Sequence, residues 1–148
     1  MKAQDLAVYI INRAIEFGNP VSNLKLQKIL YFVNLLYLKK NKRFLISDIR
    51  ENPFEAWQFG PVIENVYYKF SHYGGLSINL LQPEPQYSMD ENNKKTLDEN
   101  IYKLIHIEPW TLVEWSHIKD GAWDKTYNGG LGNHQIIDEE LIKQDAGL

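Results

Sequence analysis

The chain has 148 residues, with four Trp, nine Tyr and six Phe, no cysteine and a formal net charge of −3. Such a composition supports one domain of ordinary size with an aromatic-rich core; it excludes a disordered regulator, a disulfide-stapled scaffold and any site built on thiolates. The slight negative charge supplies no basic field, so nucleic acid is a disfavoured partner.

The N-terminus carries no signal-peptide pattern. The longest apolar run, Ile29 to Leu38, is interrupted by Asn34 and is about half the ~20 residues a membrane span needs. It is expected to be a core helix in a protein of the reducing cytoplasm, with no membrane partner.

Ala3, Ala7, Ile10, Ala14 and Phe17 recur at three- and four-residue intervals, which predicts an amphipathic helix ended by Gly18 and Pro20. Ser22 is positioned to cap a second helix from Asn23 to Lys40, apolar nearly all round and therefore central. Lys25 and Lys28 are assigned to its exposed side, and Lys39, Lys40 and Lys42 complement its C-terminal dipole. The helical period then lapses. Asn52-Pro53 separates two stretches, Phe44–Ile46 and Phe54–Trp57, with strand character, which predicts a small β-hairpin or ribbon.

Gly60 permits a tight turn and Pro61 suits the first position of a helix carrying Val62, Ile63, Val66, Tyr67 and Phe70 on its buried face, with Trp57 and Phe59 pinning the turn to the core. Gly74-Gly75 ends it. Leu76 to Asn93, with Pro83 and Pro85, reads as the most flexible connection, with a strand near Leu76–Leu80. A fourth helix carries Leu97, Ile101, Leu104 and Ile105, and either Ser88 with Glu91 or Thr96 with Glu99 has the spacing to box its start. Thr111 and Glu114 open a short helix closed by Gly121, Ala122–Tyr127 adds a turn, and Asp138 caps a last helix with Ile137 and Ile142 at staple spacing. The expected fold is mainly α: a single domain over 1–148 of about five to six helices with a small β-hairpin or ribbon.

Catalytic patterns are sparse. No two of His72, His106, His117 and His134 stand three or four residues apart, so no metal and no cofactor is expected. Ser116 and His117 are adjacent, about 100° apart on a helix, and cannot pair as nucleophile and base. The glycines of N-G-G-L-G-N, from Asn128 to Asn133, lack the strand and helix of a phosphate loop. The acidic pairs sit where helices begin, so the chain is not expected to be an enzyme. Of the four tryptophans, two or three are expected inside and one at the surface, where an amphipathic aromatic can anchor a partner.

Three stretches taken together resemble a known family: L-K-L-Q-K-I-L-Y-F from Leu24 to Phe32, F-E-A-W-Q-F-G-P-V-I-E-N-V-Y from Phe54 to Tyr67, and E-W-S-H-I-K-D-G-A-W from Glu114 to Trp123. Their order and spacing resemble the Panacea domain of the SocA-like antitoxin family, which also includes phage-associated proteins, and the resemblance runs from about residue 5 to 142. It departs mildly at Ser116, where many members have Thr. The resemblance implies a protein that neutralises a toxin encoded beside it, by direct binding or by delivering the toxin to a protease. Lys25, Lys28, Trp57, His117 and Trp123 are the candidate partner-binding residues, and Phe59, Gly60 and Pro61 form a structural motif. Two alternatives are a stand-alone phage or prophage protein binding another host target, and a small enzyme or metal-dependent regulator built on His117 with Asp124 and Glu114. The sequence carries no mark of an oligomeric state.

Overall fold

The computed structural model describes residues 1–148. Seven α-helices and a three-stranded antiparallel sheet make up the fold. Helix α1 spans Ala3–Glu16 and α2 spans Asn23–Asn41. Strands β1 (Phe54–Trp57) and β2 (Gly60–Ile63) form a hairpin, followed by the short helix α3 (Glu64–Lys69). Then come α4 (Glu91–Ile105), α5 (Pro109–Ser116), α6 (Ala122–Tyr127), β3 (Gln135–Ile136) and α7 (Glu139–Asp145). No helix is long and apolar enough to cross a membrane.

The two N-terminal helices follow their sequence signals. Ser22 accepts the Lys25 N–H at 3.3 Å to cap α2, and Gly18 takes a positive φ of 73° after α1, the conformation glycine adopts most readily. No side chain of its own segment caps α1; Asp48 accepts the Ala3 N–H at 2.8 Å from across the fold. Helix α2 is the axis of the core, with Leu26, Ile29, Leu30, Tyr31, Val33 and Leu38 buried against α1, α4, α5 and the hairpin. The Tyr31 hydroxyl donates to Asp145 at 2.6 Å, tying α7 to the same axis.

Several expected boundaries are corrected. Pro61 lies in β2, not at a helix start, and the helix begins three residues later at Glu64. Ala56 pairs with Pro61 and Phe54 with Ile63; the Pro61 carbonyl and the Ile63 N–H both turn toward α2. The donor that proline lacks therefore falls on the edge of the sheet, where it breaks no ladder bond. Phe44–Ile46 is not a strand: the Leu45 and Ile46 N–H groups donate to the buried Asn34 Oδ1 at 3.0 and 3.1 Å, leaving no ladder to join. Leu76–Leu80 contributes only an isolated bridge between Ser22 and Ser77.

Neither candidate box opens α4. Asp90 does, accepting the Asn93 N–H at 2.8 Å. Helix α5 starts at Pro109 in place of Thr111, with His117 as its C-cap, and Ala122–Tyr127 forms a helix of its own. Asp138 caps α7 as expected, and β3 emerges from the glycine-rich segment to complete the sheet in the order β2-β1-β3.

Candidate functional site

The three family-like stretches converge on the hairpin. At its centre is Lys28, a correction to the expected solvated charge: its side chain is completely buried. The Lys28 Nζ donates to the Pro61 carbonyl at 2.6 Å, and one residue earlier the Gln27 Oε1 accepts the Ile63 N–H at 3.0 Å. Together they saturate the outer edge of β2, standing where a fourth strand would otherwise bond. Burial alone pulls the Lys28 pKa down from 10.5 to about 7, because removing the ammonium from water penalises its charged form.

Gly60 makes the approach possible. Its φ is +113°, and a Cβ there would stand 2.6 Å from Ser116 Oγ and 2.8 Å from Lys28 Cε. The sequence reads Gly60 as permitting a tight turn; the structure adds a close approach that only the tertiary contacts reveal. Ser116 itself is buried and donates to the Val113 carbonyl at 2.7 Å, so its hydroxyl is engaged within its own helix.

His117 and Trp123 also support the hairpin. The imidazole stacks flat on the Trp123 indole, with ring centroids 3.6 Å apart, and Trp123 stacks in turn on Tyr127 at 4.6 Å. The Trp123 Nε1–H donates to the Trp57 carbonyl at 2.7 Å, so a buried indole fixes the end of β1. Burial, followed by the nearby charge of Lys28, holds the His117 pKa below its ordinary value against the opposing pull of Asp124. The His117 Nε2 atom is buried without a hydrogen-bond partner.

Lys25, also expected at the surface, is 9% exposed, and its ammonium donates to the Ile105 carbonyl at the end of α4. Burial lowers its pKa, with Glu108 acting in the opposite direction. Lys25 and Lys28 are thus clamps that bind α2 to its neighbours, and the polar stripe of α2 faces inward. Asn23 belongs to the same set, donating to the Tyr67 carbonyl at 2.9 Å. Sequence reasoning missed Asn23 and Gln27, although their spacing of four residues, with Lys28 next to Gln27, places them on one side of α2.

The exposed side of the site is aromatic. Trp57 is half-buried and stacks on His134 at 4.2 Å with an interplanar angle of 6°. Phe59, expected to pin the turn to the core, is 45% exposed at the hairpin tip and packs edge-on against Trp110 at 5.3 Å. Of the tryptophans only Trp123 is buried, while Trp110 and Trp115 are 57% and 50% exposed, fewer inside than expected. Trp57, Phe59, Tyr67, Trp110 and His134 line a cleft of about 390 Å³ that Asn23 and Gln27 close from below. That volume falls in the range of ligand-sized concavities.

The arrangement offers little to chemistry centred on His117. Glu114 is exposed, Asp124 accepts the Asp120 N–H at 2.9 Å, and no three His, Asp or Glu side chains converge as a ligand set. What the geometry does provide is a rigid backing of Lys28, His117 and Trp123 beneath a hairpin that displays aromatic side chains.

A family model described as Antitoxin SocA-like, Panacea domain, matches residues 26–124, a span that opens beside Gln27 and Lys28 and closes just after Trp123. The antitoxin SocA of Caulobacter vibrioides (strain NA1000 / CB15N) is 30% identical over 159 residues, which cover 95% of this chain and 80% of that protein. No solved structure matches. With two thirds of its length under the family model and its hairpin, buried lysine and tryptophan inside that span, the chain belongs to the SocA-like antitoxin family of Panacea-domain proteins.

Proposed function

We propose that this protein is an antitoxin that neutralises a toxin encoded beside it by binding the toxin directly, with the aromatic surface of the hairpin as the contact. Family membership supports the antitoxin role, which is a non-enzymatic one. The observation that carries the choice of surface is the cleft between Trp57, Phe59 and Trp110. Clustered, partly exposed Trp and Phe beside a concavity are the residues that dominate binding energy at protein interfaces.

The five candidate residues divide by role under this proposal. Trp57 makes the contact; Lys28, His117 and Trp123 hold the hairpin that carries it; Lys25 fastens α2 to α4. Delivery of the toxin to a protease is compatible with the same contact and differs in its consequence, since the toxin would then disappear from the cell.

Co-expression with the product of the adjacent gene tests the proposal. The parent protein should restore growth and co-purify with the toxin, while Trp57→Ala should weaken binding by about 2 kcal/mol, roughly thirtyfold. Toxin levels followed through the experiment separate sequestration from delivery. A Trp57→Ala protein that folds normally and binds the toxin as tightly as the parent refutes the surface, and an adjacent gene product that is neither toxic nor bound refutes the antitoxin role.

A further inference from the structure

The outward face of the hairpin is divided into two compartments of different chemistry. Along β1, Phe54 and Ala56 are buried while Glu55 and Trp57 face outward and are half-exposed. The aromatic cleft beside Trp57 is lined by no Asp, Glu, Lys or Arg. Next to it, a hollow of about 190 Å³ is lined by Glu51, Glu55 and Glu64 together with Asn52, Asn65, Pro53 and Ile63.

The hollow holds no Lys or Arg. None of its three carboxylates takes part in the ion pairs of the fold, which join Arg13 to Glu16 and Glu84, Arg50 to Glu139 and Lys143 to Glu140. Glu55 accepts the Trp57 Nε1–H at 2.9 Å. Desolvation, then the adjoining Glu64 carboxyl, hold the Glu55 carboxyl above the ordinary carboxylate range against the pull of the Trp57 N–H; His134 is the only basic group acting on it. A cation placed here would relieve the repulsion between Glu55 and Glu64.

We infer that this face receives an extended segment of the partner protein in which an apolar side chain fills the aromatic cleft and a Lys or Arg two residues away seats against Glu55 and Glu64. The inference rests on the partner-binding reading above and adds the chemistry of what is bound. Its register comes from the strand: Glu55 and Trp57 are two residues apart, roughly 7 Å along a β-strand, and the same interval separates side chains on one face of an extended peptide. A cleft walled by Trp57, Phe59, Tyr67 and Trp110, with no carboxylate, Lys or Arg in its lining, favours an apolar occupant. The acidic hollow demands a basic one and repels phosphate, so a nucleic acid does not fit.

A phage-displayed library of random peptides, panned on the purified full chain and counter-panned on an E55Q/E64Q double variant, tests this. Gln retains the acceptor for the Trp57 N–H, and Glu64 is exposed, so the variant should unfold at the parent's midpoint; if it does not, the single E64Q variant replaces it. The expected result is enrichment of peptides with Phe, Trp or Leu two positions from Arg or Lys, binding at least about tenfold more weakly to the double variant and losing affinity as salt rises. No enrichment, enrichment without a basic residue, or equal binding to parent and variant overturns the inference. If E55Q/E64Q still neutralises the toxin as the parent does, the inference fails and the antitoxin role stands. Should the basic peptides bind while no adjacent gene product is neutralised, the surface chemistry stands and the antitoxin role fails.

Discussion

Replacing Lys28 by Met should stabilise the protein at neutral pH and destabilise it in alkali, and the change of sign is the informative result. In the open chain a lysine holds its proton up to 10.5, whereas in the folded chain burial lets Lys28 keep it only below about 7. Between those values the unfolded state binds more protons, so stability rises with pH across that window and is lowest below about 7. At about 1.4 kcal/mol per tenfold change, the difference penalises folding at neutral pH by on the order of 5 kcal/mol.

Met is unbranched and fills a similar volume, but it leaves the Pro61 carbonyl without its donor, a loss of about 1–3 kcal/mol for a buried acceptor. At pH 7 relief from desolvating the ammonium outweighs the lost hydrogen bond, giving a gain of about 2 kcal/mol. Near pH 10 the unfolded lysine is still mostly protonated, so about 0.8 kcal/mol of the penalty persists against the lost hydrogen bond, and the variant should be less stable by roughly 0–2 kcal/mol. Urea unfolding followed by far-UV circular dichroism at a series of pH values measures both limbs, and ionising tyrosines cancel in the comparison between variant and parent. An NMR titration supplies a second readout, because removing the charge of Lys28 should let His117 titrate at higher pH. A stability difference that does not change with pH, or a variant as destabilised at pH 7 as at pH 10, refutes the reasoning.

Gly60→Val should destabilise by more than about 3 kcal/mol, since it combines a φ of +113° with a Cβ 2.6 Å from Ser116 Oγ; an unfolding midpoint near the parent's would show that the hairpin can shift to make room. Trp123→Ala should remove about 3–5 kcal/mol of stability, because it deletes a buried indole together with its bond to the Trp57 carbonyl, whereas Trp57→Ala should mainly weaken binding; equal midpoints for the two variants would contradict that division. Asp90→Ala should lower stability by about 1 kcal/mol through loss of the α4 cap, and Ser88→Ala should change it by less than about 0.5 kcal/mol; the reverse order would return the start of the helix to the Ser88 box.

Several of the residues that shape the site were legible in the sequence, but most of their roles were not. Periodicity and punctuation set α1, α2 and α7 within a residue or so, because Gly18, Ser22 and Asp138 act on backbone groups a few positions away. Such local interactions survive in the sequence. The resemblance likewise singled out Lys28, Gly60, His117 and Trp123, all of which meet at the hairpin. What failed were particular assignments that depended on distant partners. A lysine on a helix reads as solvated until a strand edge 33 residues away is seen to need its donor. Pro61 reads as a helix start until Phe54–Trp57 is found paired with it. Tryptophans read as core until the packing of α5 leaves Trp110 and Trp115 outside. The charge of a side chain is written in the sequence; whether water or a carbonyl meets it is decided by tertiary structure, because desolvation depends on everything that packs around it.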